Sequence, residues 1–499
     1  MRRPLTRRRK ILLALLIVAI VIVVSVSRPA GHLATVAWQD ADQLQPLAAG
    51  YIDDASRLNA AHVAEVWPIP ADPAAAESQL RDLLVRARRD KLSVSIAGAR
   101  HSMGGHTISP DGIVIDMTPF HAMSFDPATN LLRVQAGARW SEIIPYLDPV
   151  GRSVAVMQSN NSFTVGGSLS VNCHGWQYGR PPIASTVESF RLLLADGTIK
   201  TCSRTENAEL FALALGGYGL FGVILDADLR VIPNARYRLE QFVVPLNQAL
   251  ATYDAEIAGR DDVAMAYGRL GIAPSHFLED VIINVFHEAP DGSIPPLASA
   301  NSIKLRRNLF RGSVGSDYGK ELRWSAEAKL QPHLNKEYFS RNQLLNEGVE
   351  VFQNRSAAST DILHEYFVPR SGVASFIAAL RETIPKHDVD LLNVTVRFVE
   401  EDRDTFLRYA TEEMFAFVML FNQPTTAAAE AEMETVSQAL IEASLAAGGR
   451  YYLPYRLHAT PAEFARAYPQ GAEFFAQKRK YDPDGVFQNK FYLKYGRDE

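Results

Sequence analysis

Two glycine-serine loops constrain this chain more than any other feature. The first, "SIAGARHSMGGHT" over Ser95–Thr107, follows a strand-like run and carries two histidines, His101 and His106. The second, "SNNSFTVGGSLSVNCHG" over Ser159–Gly175, repeats the same chemistry downstream. Glycines and short side chains let successive backbone N–H groups converge on one anion, the arrangement that cradles phosphate. Two such loops suit an extended diphosphate ligand better than a single phosphate. Other uses of the first loop stand beside that one. A zinc site needs at least three protein ligands, and His-x4-His in a glycine loop supplies two, with no helical face to align them. An acid/base pair, or two merely polar loop histidines, are the remaining readings.

The surrounding pattern places these loops. Leu80, Leu83, Leu84 and Ala87 share one helical face, and Leu92–Ala97 reads as a strand, so the first loop begins where a strand ends. Strands are predicted at Ile113–Asp116 and Leu131–Ala136, and a helix from about Trp140 to Leu147. "VESFRLLLADGTIKTCS" reads as a hairpin in which Asp196-Gly197 supplies the positive φ angles of a type I′ turn. Gly217–Gly222 fits G-x-G-x-x-G, but a helical run enters it and a strand-like run leaves. That is the reverse of what a dinucleotide fingerprint requires.

Short strands and helices without a regular βαβ rhythm predict an α+β unit over 60–235. From Tyr237 onward, strand-like runs at Val281–Phe286, Ile362–Val368, Leu391–Val399 and Phe415–Phe421, with a helical run at Ala427–Ala447, predict a second α+β unit over 236–455. This unit reads as an antiparallel sheet with helices packed on it. Residues 456–499 form an aromatic, basic C-terminal segment with a turn in "YDPDG".

With 51 basic against 56 acidic residues the net charge is only −5, so no nucleic-acid partner is expected. Cys173 and Cys202 are the only cysteines, too few for a disulfide framework or a four-cysteine zinc site, and no metal site is expected. "MRRPLTRRRK" precedes an uncharged apolar run, Ile11 to Val26, that is shorter than the ~20 residues of a bilayer span. The absence of a small-x-small cleavage site makes residues 1–28 an expected signal anchor, followed by a spacer over 29–59. The positive-inside rule then puts the body on the exported side of the membrane. Arg8-Arg9 also loosely resembles a twin-arginine export signal.

The motifs "AGARHSMGGH", "TVGGSLSVNCHG", "ADG" before a strand, "LFALALGGYGLFGVI" and "KRKYDPDGVFQNKFY", in that order, resemble the FAD-binding fold of the vanillyl-alcohol oxidase and p-cresol methylhydroxylase superfamily. The likeness is nearest to its sugar-lactone and alditol oxidases. It implies a two-part FAD-binding domain, an α+β cap domain, and a C-terminal segment returning to the FAD site. It implies a flavin bonded covalently to His101, with Gly98, Ala99, Arg100, Ser102, His106, Ser159, Thr164, Gly166, Gly167, Ser170, Ile224 and Asn489 around it. A second tether from a cysteine is not expected, since Asn160–Phe163 contains none. The implied reaction is oxidation of a CH–OH group by hydride transfer to flavin N5, with reoxidation by oxygen or another acceptor such as a membrane carrier.

In "LLNVTVRF" the apolar Leu392, Val394, Val396 and Phe398 alternate with Asn393, Thr395 and Arg397. "VRFVEED" resembles the segment of sugar-lactone and alditol oxidases in which a Glu-x-Arg pair meets the substrate. Arg397 keeps the arginine, while Thr395 stands at the glutamate position. "PYRLH" stands where those enzymes have Pro-His-Trp-Gly-Lys, so His458 replaces the lysine. These departures argue against alditols and simple aldonolactones. The candidate bases are His458 and Glu365, with His458 ranked first because imidazole titrates near neutral pH. A CH–NH oxidoreductase of the cytokinin dehydrogenase kind, and a non-catalytic flavin electron carrier, are the alternative readings.

Overall fold

Alternating apolar strands assemble three main sheets in the computed structural model, which describes residues 26–297, 303–330 and 338–497 together with Arg8. The smallest is parallel, with Ile113–Asp116 between Glu65–Pro68 and Val94–Ala97. Helix Pro73–Asp90 joins the two outer strands and buries Leu80, Leu83, Leu84 and Ala87. Asp72 caps its N-terminus by accepting from the Ala75 N–H at 2.8 Å, which satisfies one of the donors a helix start leaves free.

The second sheet is antiparallel, in the order Ile199–Ser203, Val187–Leu193, Val223–Pro233, Leu131–Gln135 and Met123–Asp126. Arg152–Val154 pairs with the far end of Val223–Pro233. The third has eight antiparallel strands. Their order is Tyr338–Ser340, Arg236–Pro245, Asp280–Glu288, Val263–Leu270, Asp390–Val399, Met414–Pro424, Ser359–Pro369 and Arg450–Tyr451. Helices Val373–Thr383 and Ala427–Ala446 cover one face, the second burying Met433, Val436 and Leu440. The other face turns toward the glycine loops. The fold is mixed α+β.

The chain end re-enters the first sheet. Val94 N–H donates to Val486 O at 2.7 Å and Gln488 N–H donates to Val94 O at 2.9 Å, so the stretch around Phe487 adds a parallel bridge beside Val94. Tyr481–Gly485 turns as expected, with Gly485 at φ 62° and its N–H on Asp482 O.

Two expectations are corrected. The hairpin at Asp196-Gly197 forms, but its turn is not type I′, because only Gly197 has positive φ. Asp196 Oδ1 instead accepts from the N–H and hydroxyl of Thr198. Gly197 N–H donates to Leu194 O, which makes a three-residue loop with glycine in the left-handed position.

The second correction concerns the membrane anchor expected over residues 1–28 and, with it, the exported body, neither of which the described structure supports. Among the described residues no helix is long and apolar enough to cross a membrane. Residues 11–25 of the apolar run lie outside the described residues. The helical stretch 26–39 packs on protein: Val36 is buried, His32 Nε2 donates to Gly312 O at 2.8 Å, and the Arg28 guanidinium lies 4.0 Å from the Tyr318 ring centre.

Candidate functional site

The two glycine loops press against each other. A Cβ added at Gly98 would lie 2.0 Å from Thr164 Oγ1, so no side chain fits there. Gly166 is also crowded, its N–H donating to Ala136 O at 2.8 Å and an added Cβ falling 2.8 Å from Ala136 Cβ. Arg100 takes the left-handed conformation at φ 56° and turns the first loop over the end of its strand.

A cavity of about 1150 Å³ opens above these loops. That is larger than the about 300–1,000 Å³ that one drug-sized ligand occupies, and leaves room for a dinucleotide and a substrate together. Every residue assigned above to the cofactor lines it except Asn489. Asn489 is buried behind the wall, its Nδ2 donating to His106 O and Tyr218 O at 2.9 Å each, so it braces the first loop against the Gly217–Gly222 segment without lining the cavity.

His101 packs its ring 4.3 Å from that of Phe163. Burial, and then the Arg139 charge, pushes its pKa down to about 4. His106 lies near the rings of Tyr218 and Phe491, and burial pushes it down to about 3. Both imidazoles are therefore neutral at neutral pH. The buried Ser102 hydroxyl has no hydrogen-bond partner among the described residues and borders the cavity, a donor left for an acceptor on a ligand.

The opposite wall is the open face of the eight-stranded sheet. Period-two alternation sends Asn393, Thr395 and Arg397 to the cavity while Val394 and Val396 stay in the core. Arg397 Nη2 donates to Ser159 Oγ at 2.8 Å and Nη1 to His174 O at 3.4 Å, which leaves Nε buried without a partner among the described residues. Asn393 Nδ2 donates to Thr395 Oγ1 at 2.9 Å, and the Asn393 Oδ1 is likewise unpartnered.

Glu365 reaches the same wall from strand Ser359–Pro369. His174 Nε2 lies 2.7 Å from its Oε1, and the Tyr455 hydroxyl donates to its Oε2 at 3.1 Å. The His174 contact is close without being an aligned hydrogen bond, since neither atom meets hydrogen-bond geometry. Burial raises the carboxyl, but His174, Arg397 and Tyr455 together outweigh it and hold the group below the ordinary carboxylate value.

His458 does not line the cavity. Its Nδ1 is 2.7 Å from Ser437 Oγ and its Nε2 is 2.9 Å from Glu430 Oε1, both on the helix behind the sheet. Tyr455, three residues earlier, reaches the cavity instead. His174 and Tyr455 were not singled out in the sequence. The one signal was that His174 closes the second glycine loop, in "NCHG".

A family profile described as "FAD binding domain" matches residues 73–203. The chain is thus an FAD-dependent flavoprotein with the p-cresol methylhydroxylase type of FAD-binding fold. A second profile, "D-arabinono-1,4-lactone oxidase", matches residues 321–495. L-gulonolactone oxidase of Mus musculus is 21% identical over 429 residues, covering 83% of this chain and 92% of that one. L-gulono-1,4-lactone dehydrogenase of Mycobacterium tuberculosis is 22% identical over 418 residues, covering 83% and 93%. An FAD-dependent monooxygenase of Arthrobotrys oligospora is 30% identical over 189 residues, 36% of either chain. The chain is thus similar to the sugar-lactone oxidase group of the p-cresol methylhydroxylase superfamily, and it is an FAD-dependent oxidoreductase acting on CH–OH donors. The packed glycine loops, the unpartnered Ser102 hydroxyl and the size of the cavity fit that cofactor.

Proposed function

We propose that this chain oxidises the CH–OH group of a sugar-derived or similarly hydroxylated small molecule at the wall formed by Arg397, Glu365 and His174. The observation that carries this reading is the meeting of a guanidinium and an ionised carboxylate on one cavity face, opposite the glycine loops. The loop residues Gly98–Ser102 and Thr164–Ser170 would hold FAD, with Ile224 beside it and the eight-stranded sheet across the cavity. The bound cofactor would supply the acceptor for the hydride leaving the substrate carbon.

The chain's own residues do the rest. Arg397 orients the substrate oxygen and steadies the negative charge that develops on it. Glu365, kept ionised, accepts the hydroxyl proton, and the Glu365–His174 pair holds that proton as a unit. His174 is a positioning residue, and Tyr455 fixes the second carboxylate oxygen. Asn393 Oδ1 supplies an acceptor for a further substrate hydroxyl, in place of the glutamate that Thr395 replaces. The lactones named for the relatives are the first class to test, with oxygen or another acceptor reoxidising the flavin.

In this reading His101 would be the tether, its neutral, partly enclosed imidazole bordering the cavity where the cofactor would lie. Acid-precipitated protein is expected to stay yellow, with the flavin mass on a tryptic peptide containing His101. Release of all the colour into the supernatant refutes the tether. Anaerobic reduction of the bound flavin by lactones, polyols and other alcohols tests the reaction itself, and failure of every alcohol refutes it.

A further inference from the structure

We infer that the substrate carries a ring-sized apolar group beside its reacting CH–OH, an inference that rests on the CH–OH reading above. The register of the large sheet sets the order of side chains along the cavity face. Tyr267 stands opposite Arg397, and Asn284 opposite Tyr267. In the other direction Thr395 stands opposite Val418, and Val418 opposite Glu365. Directly paired residues project from the same face of a sheet. The reactive polar groups are therefore gathered on strands Asp390–Val399 and Ser359–Pro369, with Tyr267 at their border.

Beyond Tyr267 the wall becomes apolar. Phe286 stands opposite Leu239, and Phe339 approaches Phe286 at 6.0 Å between ring centres. Trp176 comes in from the loop after His174, edge-on to Tyr267 at 5.3 Å and to Phe286 at 5.2 Å. Its carbonyl accepts from the Ala266 N–H at 3.0 Å, which fixes the indole to the strand. These side chains border the same cavity as Arg397 and Glu365, and Trp176, Tyr267, Leu239 and Phe339 are only half-buried.

The charged side chains that border this stretch are paired with one another, Arg269 with Glu327 and Arg306 with Glu347. Asn284 has its oxygen taken by Gln241 Nε2 at 2.9 Å, which leaves its amide hydrogens and the Tyr267 hydroxyl. A small lactone with a hydroxyl on every carbon would leave this wall wet or its own hydroxyls unpaired. An aromatic or alicyclic substituent covers the wall and leaves the head group between Arg397 and Glu365. The substrate class is thus an amphipathic alcohol, such as an aryl or alicyclic derivative of a sugar.

The test uses the flavin-loaded protein and anaerobic flavin reduction by matched pairs. These are 1-O-methylglycerol against 1-O-benzylglycerol and methyl against benzyl glucoside, with L-gulono-1,4-lactone as polar reference. The benzyl member of a pair is expected to half-saturate at a concentration about tenfold lower or more, at a similar limiting rate. Trp176→Ala and Leu239→Asn are expected to abolish most of that gain and leave the methyl member unchanged. Equal half-saturation within the pairs in the parent overturns the inference while leaving the CH–OH reading in place. So does a benzyl advantage that survives both substitutions. Reduction by none of the alcohols, lactone included, overturns both.

Discussion

Arg397 serves two purposes, and its substitution separates them. Its bonds to Ser159 Oγ and His174 O join the sheet to the second glycine loop, yet the side chain lies on the polar face of its strand, so Arg397→Ala removes little packing. The variant is expected to fold and keep its flavin, while the limiting rate of flavin reduction falls about 10²-fold to 10³-fold. Arg397→Lys restores only part, because an ammonium lacks the planar fork. Rapid-mixing reduction at saturating substrate is the measurement, and an unchanged rate in Arg397→Ala removes Arg397 from the chemistry. Glu365 carries a pH prediction. Its carboxyl must be ionised to take a proton, and its surroundings hold it below the ordinary 4.5. The reduction rate should therefore stay level as pH falls toward 5 and drop only at more acidic values. Glu365→Gln should lower the rate by about 10²-fold to 10⁴-fold and remove that acid limb. Alternation in "LLNVTVRF" was enough to put Arg397 on a polar face, but not to say that the face borders a cavity. The ranking of His458 over Glu365 rested on where imidazole titrates. Nothing local in "PYRLH" reveals that Ser437 and Glu430 hold both ring nitrogens behind the sheet.

At the scale of elements, the loops depend on glycine at particular contacts. Gly98 has an ordinary φ, so its requirement is one of space and not of backbone conformation. Gly98→Ala must push Thr164 away, and with it the N-cap of Val165–Ser170, where Thr164 Oγ1 accepts from the Gly167 N–H. The variant is expected to lose flavin during purification at unchanged secondary structure. Thr164→Ala in the same chain should recover part of the flavin content, measured as the ratio of flavin to protein absorbance. If Gly98→Ala alone retains full flavin, the loop contact is not what shapes the site. Element positions were readable because apolar periodicity is local: Trp140–Leu147 and Ile113–Asp116 stand where the pattern puts them. The Asp196-Gly197 turn was misread for a reason equally local. The Asp196 side chain bonds Thr198 and keeps its own backbone at negative φ, and the dipeptide alone does not show this.

At the scale of the whole molecule, the residues that build the cavity come from segments far apart in sequence, and no periodicity announces such meetings. The C-terminal stretch shows this best, since it pairs with Val94 and then places Asn489 between the first glycine loop and the Gly217–Gly222 segment. Asn489 also accepts from the Tyr492 N–H at 3.0 Å, capping the last helix. Two roles are thus combined, and they predict different substitution series. If capping alone mattered, aspartate would replace asparagine almost freely and alanine would be the damaging change. If the brace matters, Asn489→Asp removes the amide donor and points a carboxylate at the carbonyls of His106 and Tyr218. That variant should then be the less stable of the two. Asn489→Ala should itself lower stability, because each buried carbonyl left without a donor costs about 1–3 kcal/mol. Thermal unfolding of the flavin-loaded proteins is expected to rank the parent above Asn489→Ala and Asn489→Ala above Asn489→Asp, with losses of several degrees. An aspartate variant as stable as the parent would reduce Asn489 to a helix cap and leave the loops to be held by their own contacts.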